Sequence, residues 1–438
     1  MNFAESESYL LSLGNEVSAM KLGLENIRTL LRAVGDPQNK YLKVQVAGTN
    51  GKGSVCVFLN SICTQAGIKT GMYTSPHLVS MTERVKINGG DIGEHDFARL
   101  ATRVRATSEG LVAAGSLENV PTYFEQVTAI GLLAFAEAKV ELAILETGLG
   151  GRLDATTAAN AEIVAITRID LDHQQYLGET IEEIAAEKAA IIHAGSRVVI
   201  GEQQDAAMKV ILKRCSDMGV EPRFASGATV AHGGNPTGRE GVSSPARLTP
   251  SLPARFPPLG LVGRHQIENA SIAASLADTL RKHFSITEDN IHQGLEVACH
   301  PGRLEKIGQF LFDGAHNIGG AKALRSYLDE FIYQPITLVF GSMNDKDVDE
   351  IASILFSKAN KLILTQPKNT RAVRAGHMKA FVPDGFDSAN VFATTDVPEA
   401  VEKAQEVSSE SDVILVTGSL YLVGEVREIV SKDSLPKN

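Results

Sequence analysis

At 438 residues, 43% of them hydrophobic and 21% charged, the chain is too long for one compact core and suits a globular protein of two or three domains. Its net charge of −10 excludes nucleic acid or an anionic membrane as the main partner, though not anionic small molecules, which lysines, backbone N–H groups and metal ions hold locally. A start without leader-like regions, no apolar run near ~18 residues, and four cysteines without C-x-x-C spacing predict a reduced, cytoplasmic protein with no disulfide or zinc site.

The first informative element is a buried strand over 43–48 (KVQVAG) that runs into TNGKGSV and a helix over 53–66. A phosphate loop usually reads G-x-x-x-x-G-K-[ST]. Here Gly53 follows Lys52, and the hydroxyl arrives one place late, at Ser54. The strand–loop–helix setting, with Gly48, Gly51 and Gly53 allowing close backbone approach, favours phosphate binding over a plain glycine turn.

Next, 72–89 gives a strand and a polar loop, in which Ser75 either ends the strand or reaches a magnesium ion beside the phosphates. A helix over 123–138 precedes the strand 141–146 (ELAILE), which carries Glu146 to its carboxyl end ahead of GLGGR. In open α/β sheets the ligand crevice lies at such ends. Glu146 there either caps the loop or binds Mg²⁺. The strand 162–167 leads to Asp170, Asp172 and His173, and the histidine reads as hydrogen-bonded scaffolding or as a metal ligand. On the helix over 181–192, Lys188 follows Glu187 and reads as half of a surface ion pair. A buried lysine of lowered pKa has the other option of taking up CO₂ as a carbamate. A strand over 197–201 follows, and the Gly-, Pro- and Ser-rich stretch 225–258 reads as irregular or short β structure.

A second alternation of strands and helices starts near Gln309 (QFLFDG, ITLVFG, KLILTQ, DVILVTG). Pro301-Gly302 lies between the two systems and predicts a hinge, with domains over 1–299 and 300–438. The expected fold is α/β: a P-loop-containing N-terminal domain with a mostly parallel sheet, plus a smaller Rossmann-like α/β C-terminal domain. At the first strand end of the second system, Asp313, His316 and Asn317 form either a polar cluster facing the crevice or ordinary caps and turns. Arg303 either reaches a phosphate or is a solvated linker residue.

Over nearly the whole chain, and in one order, LGLENI (22–27), AGTNGKGSV, YTSPHL with ERV, TYFE, LETGLGGRLDAT, LDHQQYLG, EKAAI, HQIENA, PGRLE, FDGAHN and VTGSLYLVGEV occur together. The set resembles the folylpolyglutamate synthase/dihydrofolate synthase family of ATP-dependent Mur-type amide ligases. The resemblance implies phosphorylation of a pterin-linked carboxylate by ATP, then attack by the amine of L-glutamate on the acyl phosphate. By similarity, Thr49, Asn50, Gly51, Lys52, Asn269, Arg303 and Asp313 would bind ATP, and Ser75, Glu146 and His173 would hold Mg²⁺. Lys188 would be the lysine carbamylated in this family. Lys21, Leu22 and Gly23, the run Thr122, Tyr123, Phe124 and Glu125, and Leu153, Asp154 and Ala155 resemble the pteroate-binding loops. His316 and Ser419 are the candidates for glutamate, and both His316 and Lys188 are placed in the catalytic set.

The chain departs from the family pattern at Thr157, where asparagine is usual, at Ala190 in place of glycine, and at Arg168 in place of serine. TYFE and RLDAT are more like the bifunctional bacterial members than those that only extend tails. The resemblance therefore implies dihydropteroate, tetrahydrofolate and L-glutamate as small-molecule partners, no nucleic acid or membrane partner, and a monomer. A cell-wall Mur ligase is the related alternative. A P-loop switch ATPase is the unrelated one, and it leaves DGAHN and PGR without a task.

Overall fold

A computed structural model describes residues 1–14, 23–225 and 258–433. The stretch 225–258 therefore lies almost wholly outside the described residues, as do Lys21 and Leu22.

The first sheet has eight strands: β1 (Leu42–Ala47), β2 (Thr70–Tyr73), β3 (Val85–Ile87), β4 (Gly90–Asp91), β5 (Leu142–Glu146), β6 (Ile163–Ile166), β7 (Arg197–Ile200) and β8 (Pro222–Phe224). They lie in the order β4-β3-β2-β5-β1-β6-β7-β8. The pairs from β2 through β8 are parallel, while β3 runs antiparallel to both β2 and β4. Parallel strands covered on both faces read as unbroken apolar runs, and all five residues of β5 are buried. Successive side chains point to opposite faces. Ala143 and Leu145 join the core beneath the helices Phe3–Ser12, Glu25–Ala33, Glu94–Ala113 and Tyr123–Ala138. Leu142 and Ile144 join the core beneath Lys52–Gln65, His265–Leu280 and Glu288–Val297.

Two polar residues sit inside the central strand β1, and each has partners, as burial demands. Lys43 Nζ donates to Glu162 Oε1 and to Gln38 O, each at 3.0 Å. Gln45 Nε2 donates to the hydroxyls of Thr156 and Thr157, each at 2.9 Å.

The second sheet has six strands: β9 (Arg303–Ile307), β10 (Phe310–Asp313), β11 (Ile336–Phe340), β12 (Lys361–Leu364), β13 (Val391–Ala393) and β14 (Val413–Thr417). Their order is β13-β12-β11-β14-β10-β9, parallel except for the β9–β10 hairpin. The helices Ile318–Phe331 and Val348–Phe356 cover one face, and Val397–Val407 and Leu420–Asp433 cover the other. Among the described residues no helix is long and apolar enough to cross a membrane.

Candidate active site

A cavity of about 920 Å³ opens where the carboxyl ends of β1, β5 and β6 meet the carboxyl ends of β10 and β14. β1 ends in the glycine loop, and the helix Lys52–Gln65 starts directly behind it. Gly51 caps that helix with φ 91°, a left-handed conformation suited to glycine. A Cβ at Gly48 would sit 1.8 Å from Thr167 Oγ1, so the loop is also packed too tightly there for any side chain.

The N–H groups of Thr49 and Asn50 donate to Arg168 O at 2.9 and 3.2 Å. Their part is to anchor the loop to the segment after β6. The N–H groups of the helix's first turn are the ones that lack intrahelical acceptors. Lys52 Nζ folds back onto Gly48 O and Thr49 O, each at 3.1 Å. The late serine, Ser54, is buried and accepts from Gln266 Nε2 at 3.3 Å. Gln266 in turn accepts from Asn269 Nδ2 at 2.9 Å. Asn269 lies against the loop, where a Cβ on Gly51 would come within 2.2 Å of its Oδ1.

Ser75, Glu146, His173 and Lys188 all line the same cavity as Lys52. Glu146 is buried at the end of β5, and its Oε2 accepts from Ser75 N at 3.1 Å. His173 takes a left-handed backbone conformation (φ 51°), and its buried Nδ1 has no hydrogen-bond partner. Burial pushes its imidazole down to about 4, so it is neutral at pH 7, the form that ligates metals. A hydroxyl, a carboxylate and a neutral imidazole are donors that suit a divalent cation. Among the described residues no group of three or more His, Cys, Asp or Glu side chains is arranged to hold a metal ion.

The surface ion-pair reading of Lys188 fails. Glu187 instead forms a two-pronged pair with Arg152, with Arg152 Nη2 at 2.6 Å and Nε at 3.0 Å from Glu187 Oε1. Lys188 is buried and donates to Gly48 O at 2.8 Å. Burial, with Lys52 adding repulsion, pushes its ammonium down to about 7. Of the departures from the family pattern, Thr157 still donates to Gly151 O at 2.7 Å, which keeps that loop closed.

One wall of the cavity is apolar and carries Gly23, Phe124, Leu149, Leu153, Ala155 and Leu177. Thr122 and Glu125 also line it, joined in a capping box whose carboxylate accepts from Thr122 N at 2.8 Å and from its hydroxyl at 2.9 Å. Asp154 is likewise occupied by its own loop, accepting from Leu149 N at 2.9 Å and Thr156 N at 3.0 Å. Tyr123 is a correction. It does not line the cavity; it is buried in the core with Arg84 stacked over its ring.

The opposite wall comes from the second sheet. Asp313 accepts from Leu304 N at 3.1 Å and Ala315 N at 3.0 Å, with Arg303 beside it across the β9–β10 hairpin. Burial raises its carboxyl. His316 Nδ1 lies 2.8 Å from Gly314 O and so carries the proton, leaving Nε2 as the acceptor. Ser419 is buried and caps the last helix by accepting from Leu422 N at 3.1 Å.

The two walls meet in a polar network that the sequence reading missed. Lys346 Nζ lies 2.6 Å from Asp172 Oδ1. Asn317 Nδ2 donates to Asp172 Oδ2 at 2.9 Å and to Asn50 Oδ1 at 3.0 Å. Burial alone would raise the Asp172 carboxyl, but Lys346, with His173 and His316, holds it well below the usual carboxylate range. Lys346 follows β11, and its place past the carboxyl end of a parallel strand is the general signal that could have pointed to it, though its own N-D-K-D run carries none.

A glycine loop behind a central parallel strand, an acid at the neighbouring strand end and a second α/β unit over both make up the architecture of the Mur ligase fold. Residues 46–277 match the Mur ligase middle domain, and residues 302–420 match the Mur ligase glutamate ligase domain. The chain belongs to the dihydrofolate synthase/folylpolyglutamate synthase family. It is 30% identical to the Bacillus subtilis dihydrofolate synthase/folylpolyglutamate synthase over 93% of this chain and 95% of that protein. It is 35% identical over 98% of its length to a probable bifunctional folylpolyglutamate synthase/dihydropteroate synthase of Halobacterium salinarum, and it spans only 51% of that longer relative. The fold is similar to that of E. coli FolC in complex with DHPP and ADP, with a TM-score of 0.82, 28% identity and 99% of each chain covered.

Proposed function

We propose that this protein uses ATP to join L-glutamate to 7,8-dihydropteroate and to the glutamyl tails of folates, through an acyl phosphate. The observation that carries this reading is the joint lining of one cavity by the phosphate loop, an apolar wall and the His316 segment. A triphosphate, a pteroate and an amino acid thus have adjoining places. Residues 1–299 would bind ATP and pteroate, and 300–438 would bring glutamate.

In the first step, the helix N-terminus and Lys52 hold the β- and γ-phosphates while the γ-phosphoryl passes to the pteroate carboxylate. That carboxylate oxygen then leaves as phosphate when the amine attacks. Asn269, Arg303 and Asp313 complete the nucleotide contacts. Ser75, Glu146 and His173 would hold Mg²⁺, whose charge offsets that of the transferring phosphoryl group. Lys188 near neutrality supplies the uncharged amine that adds CO₂ and loses a proton to become a carbamate.

Gly23, Thr122, Phe124, Glu125, Leu153 and Ala155 flank the pteroate, with Asp154 holding its loop in shape. Burial pushes the His316 imidazole down to about 4, so it presents a neutral ring beside the glutamate, with Nε2 as a hydrogen-bond acceptor for the amine. Ser419 lies beside it. The four unpaired cysteines fit a reducing, cytoplasmic setting.

The test measures ADP release from purified protein with ATP and glutamate, comparing dihydropteroate with tetrahydrofolate. Turnover with both is expected. Turnover with neither overturns the assignment, and turnover with tetrahydrofolate alone removes the first activity.

A further inference from the structure

Gly53, the extra residue that displaces the loop serine, lies in the first turn of the helix Lys52–Gln65, and its φ is outside the left-handed region. Its backbone therefore does not call for glycine, and alanine is the better helix former. What excludes a side chain is a neighbour: a Cβ there would lie 2.8 Å from Cε1 and 3.4 Å from Nε2 of His300. His300 comes from the segment joining the two sheets, far along the chain.

The histidine ring meets the loop by packing. Its Nδ1 is buried with no hydrogen-bond partner. Burial, with Arg303 and Lys86 nearby, pushes the imidazole down to about 3, so it presents an uncharged ring to the loop. Its carbonyl accepts from Arg303 N at 3.3 Å, and Arg303 lines the cavity beside Asp313. The ring thus abuts the phosphate loop while the same residue's backbone fixes Arg303.

We propose that His300 is a positioning residue that couples the phosphate loop to the interdomain segment, its ring filling the space that Gly53 leaves and its backbone setting where Arg303 meets the nucleotide. The late serine is then the consequence of a loop that reserves one position for contact with the second unit. This inference rests on the reading of the loop as nucleotide-binding.

Four proteins test it: the unaltered chain, Gly53→Ala, His300→Ala and the double variant. Each is titrated with a non-hydrolysable ATP analogue and Mg²⁺, melted, and assayed for KM of ATP and kcat. Gly53→Ala should weaken the analogue about tenfold or more, as overpacking does. His300→Ala should raise the KM for ATP without a matching loss of melting temperature. The double variant should bind more tightly than Gly53→Ala, because the clash is gone. Binding by Gly53→Ala equal to that of the unaltered chain overturns the proposal, as does a double variant no better than Gly53→Ala. If Gly53→Ala does not fold, His300→Ala decides alone, and an unchanged KM for ATP overturns it. An unaltered chain that fails to bind the analogue overturns both this inference and the ligase reading, whereas the other adverse outcomes leave the ligase reading standing.

Discussion

A buried amine with a carbonyl for company and a second amine close by is costly to protonate. Lys188 is in that position, sharing Gly48 O with Lys52. Lys188→Ala should lower turnover by about a hundredfold or more, the scale seen when a preorganised electrostatic group is lost, while the melting temperature changes little. Equal losses of both would return Lys188 to a structural role. Activity should also fall in CO₂-depleted buffer and return on adding bicarbonate. A different titration governs stability. Burial, with Glu202 beside it, pushes the Glu268 carboxyl up to about 7. The folded state then holds a proton that the unfolded state releases near pH 4.5, so this contribution is full below that pH and is lost as pH rises through about 7. Glu268→Gln should flatten the dependence of melting temperature on pH between about 5 and 8. An unchanged slope would assign that dependence to other groups.

Among the elements, the strands were the easiest to read. β5 and β6 are short apolar runs bounded by glycine or polar loops, and the helix Tyr123–Ala138 opens on T-x-x-E, a capping-box signature. Direction around that helix was harder. Consecutive helical residues are turned by about 100°, so Phe124 faces the cavity while Tyr123 faces the core, and a motif read as a block misplaces one of them. The short strands β3, β4, β8 and β13 have two or three residues each, too few for any period to register. Lys346 escaped because an exposed-looking N-D-K-D run carries no pattern until a partner, Asp172, is brought to it by the fold. At this scale one contact is directly testable. A Cβ on Gly424, in the last helix, would lie 2.1 Å from Leu78 O in the loop after Ser75. Gly424→Ala should push helix and loop apart, costing about 1–3 kcal/mol in denaturant unfolding and lowering kcat. Stability and kcat both unchanged would show that the contact relaxes at no expense.

For the molecule as a whole, the Lys346–Asp172 pair is a buried charged link between the two sheet systems, reinforced on the surface by Arg264 and Glu330 at 2.6 Å. Removing one member of a buried pair strands the other charge, and here the two units have the alternative of separating so that water reaches Asp172. Lys346→Ala should therefore enlarge the radius of gyration measured by small-angle scattering and raise the KM for glutamate. A compact particle with unaltered KM would place the closure elsewhere.

The order β5-β1-β6 has one more consequence. Adjacent strands stand about 4.8 Å apart, so the exits of β5 and β6 on either side of the glycine loop are spaced about 10 Å by hydrogen bonds alone. The sheet is a gauge block, and its pitch is the same whatever the loops contain. The helix start at 121–125 and the loop 148–155 can change composition and accept another acyl group without disturbing that spacing. The polyphosphate end has no such latitude, because widening it would mean breaking a ladder. On the proposed ligase function, variation in what is joined is therefore expected at the loop-built walls, and constancy in what powers the reaction at the strand ends.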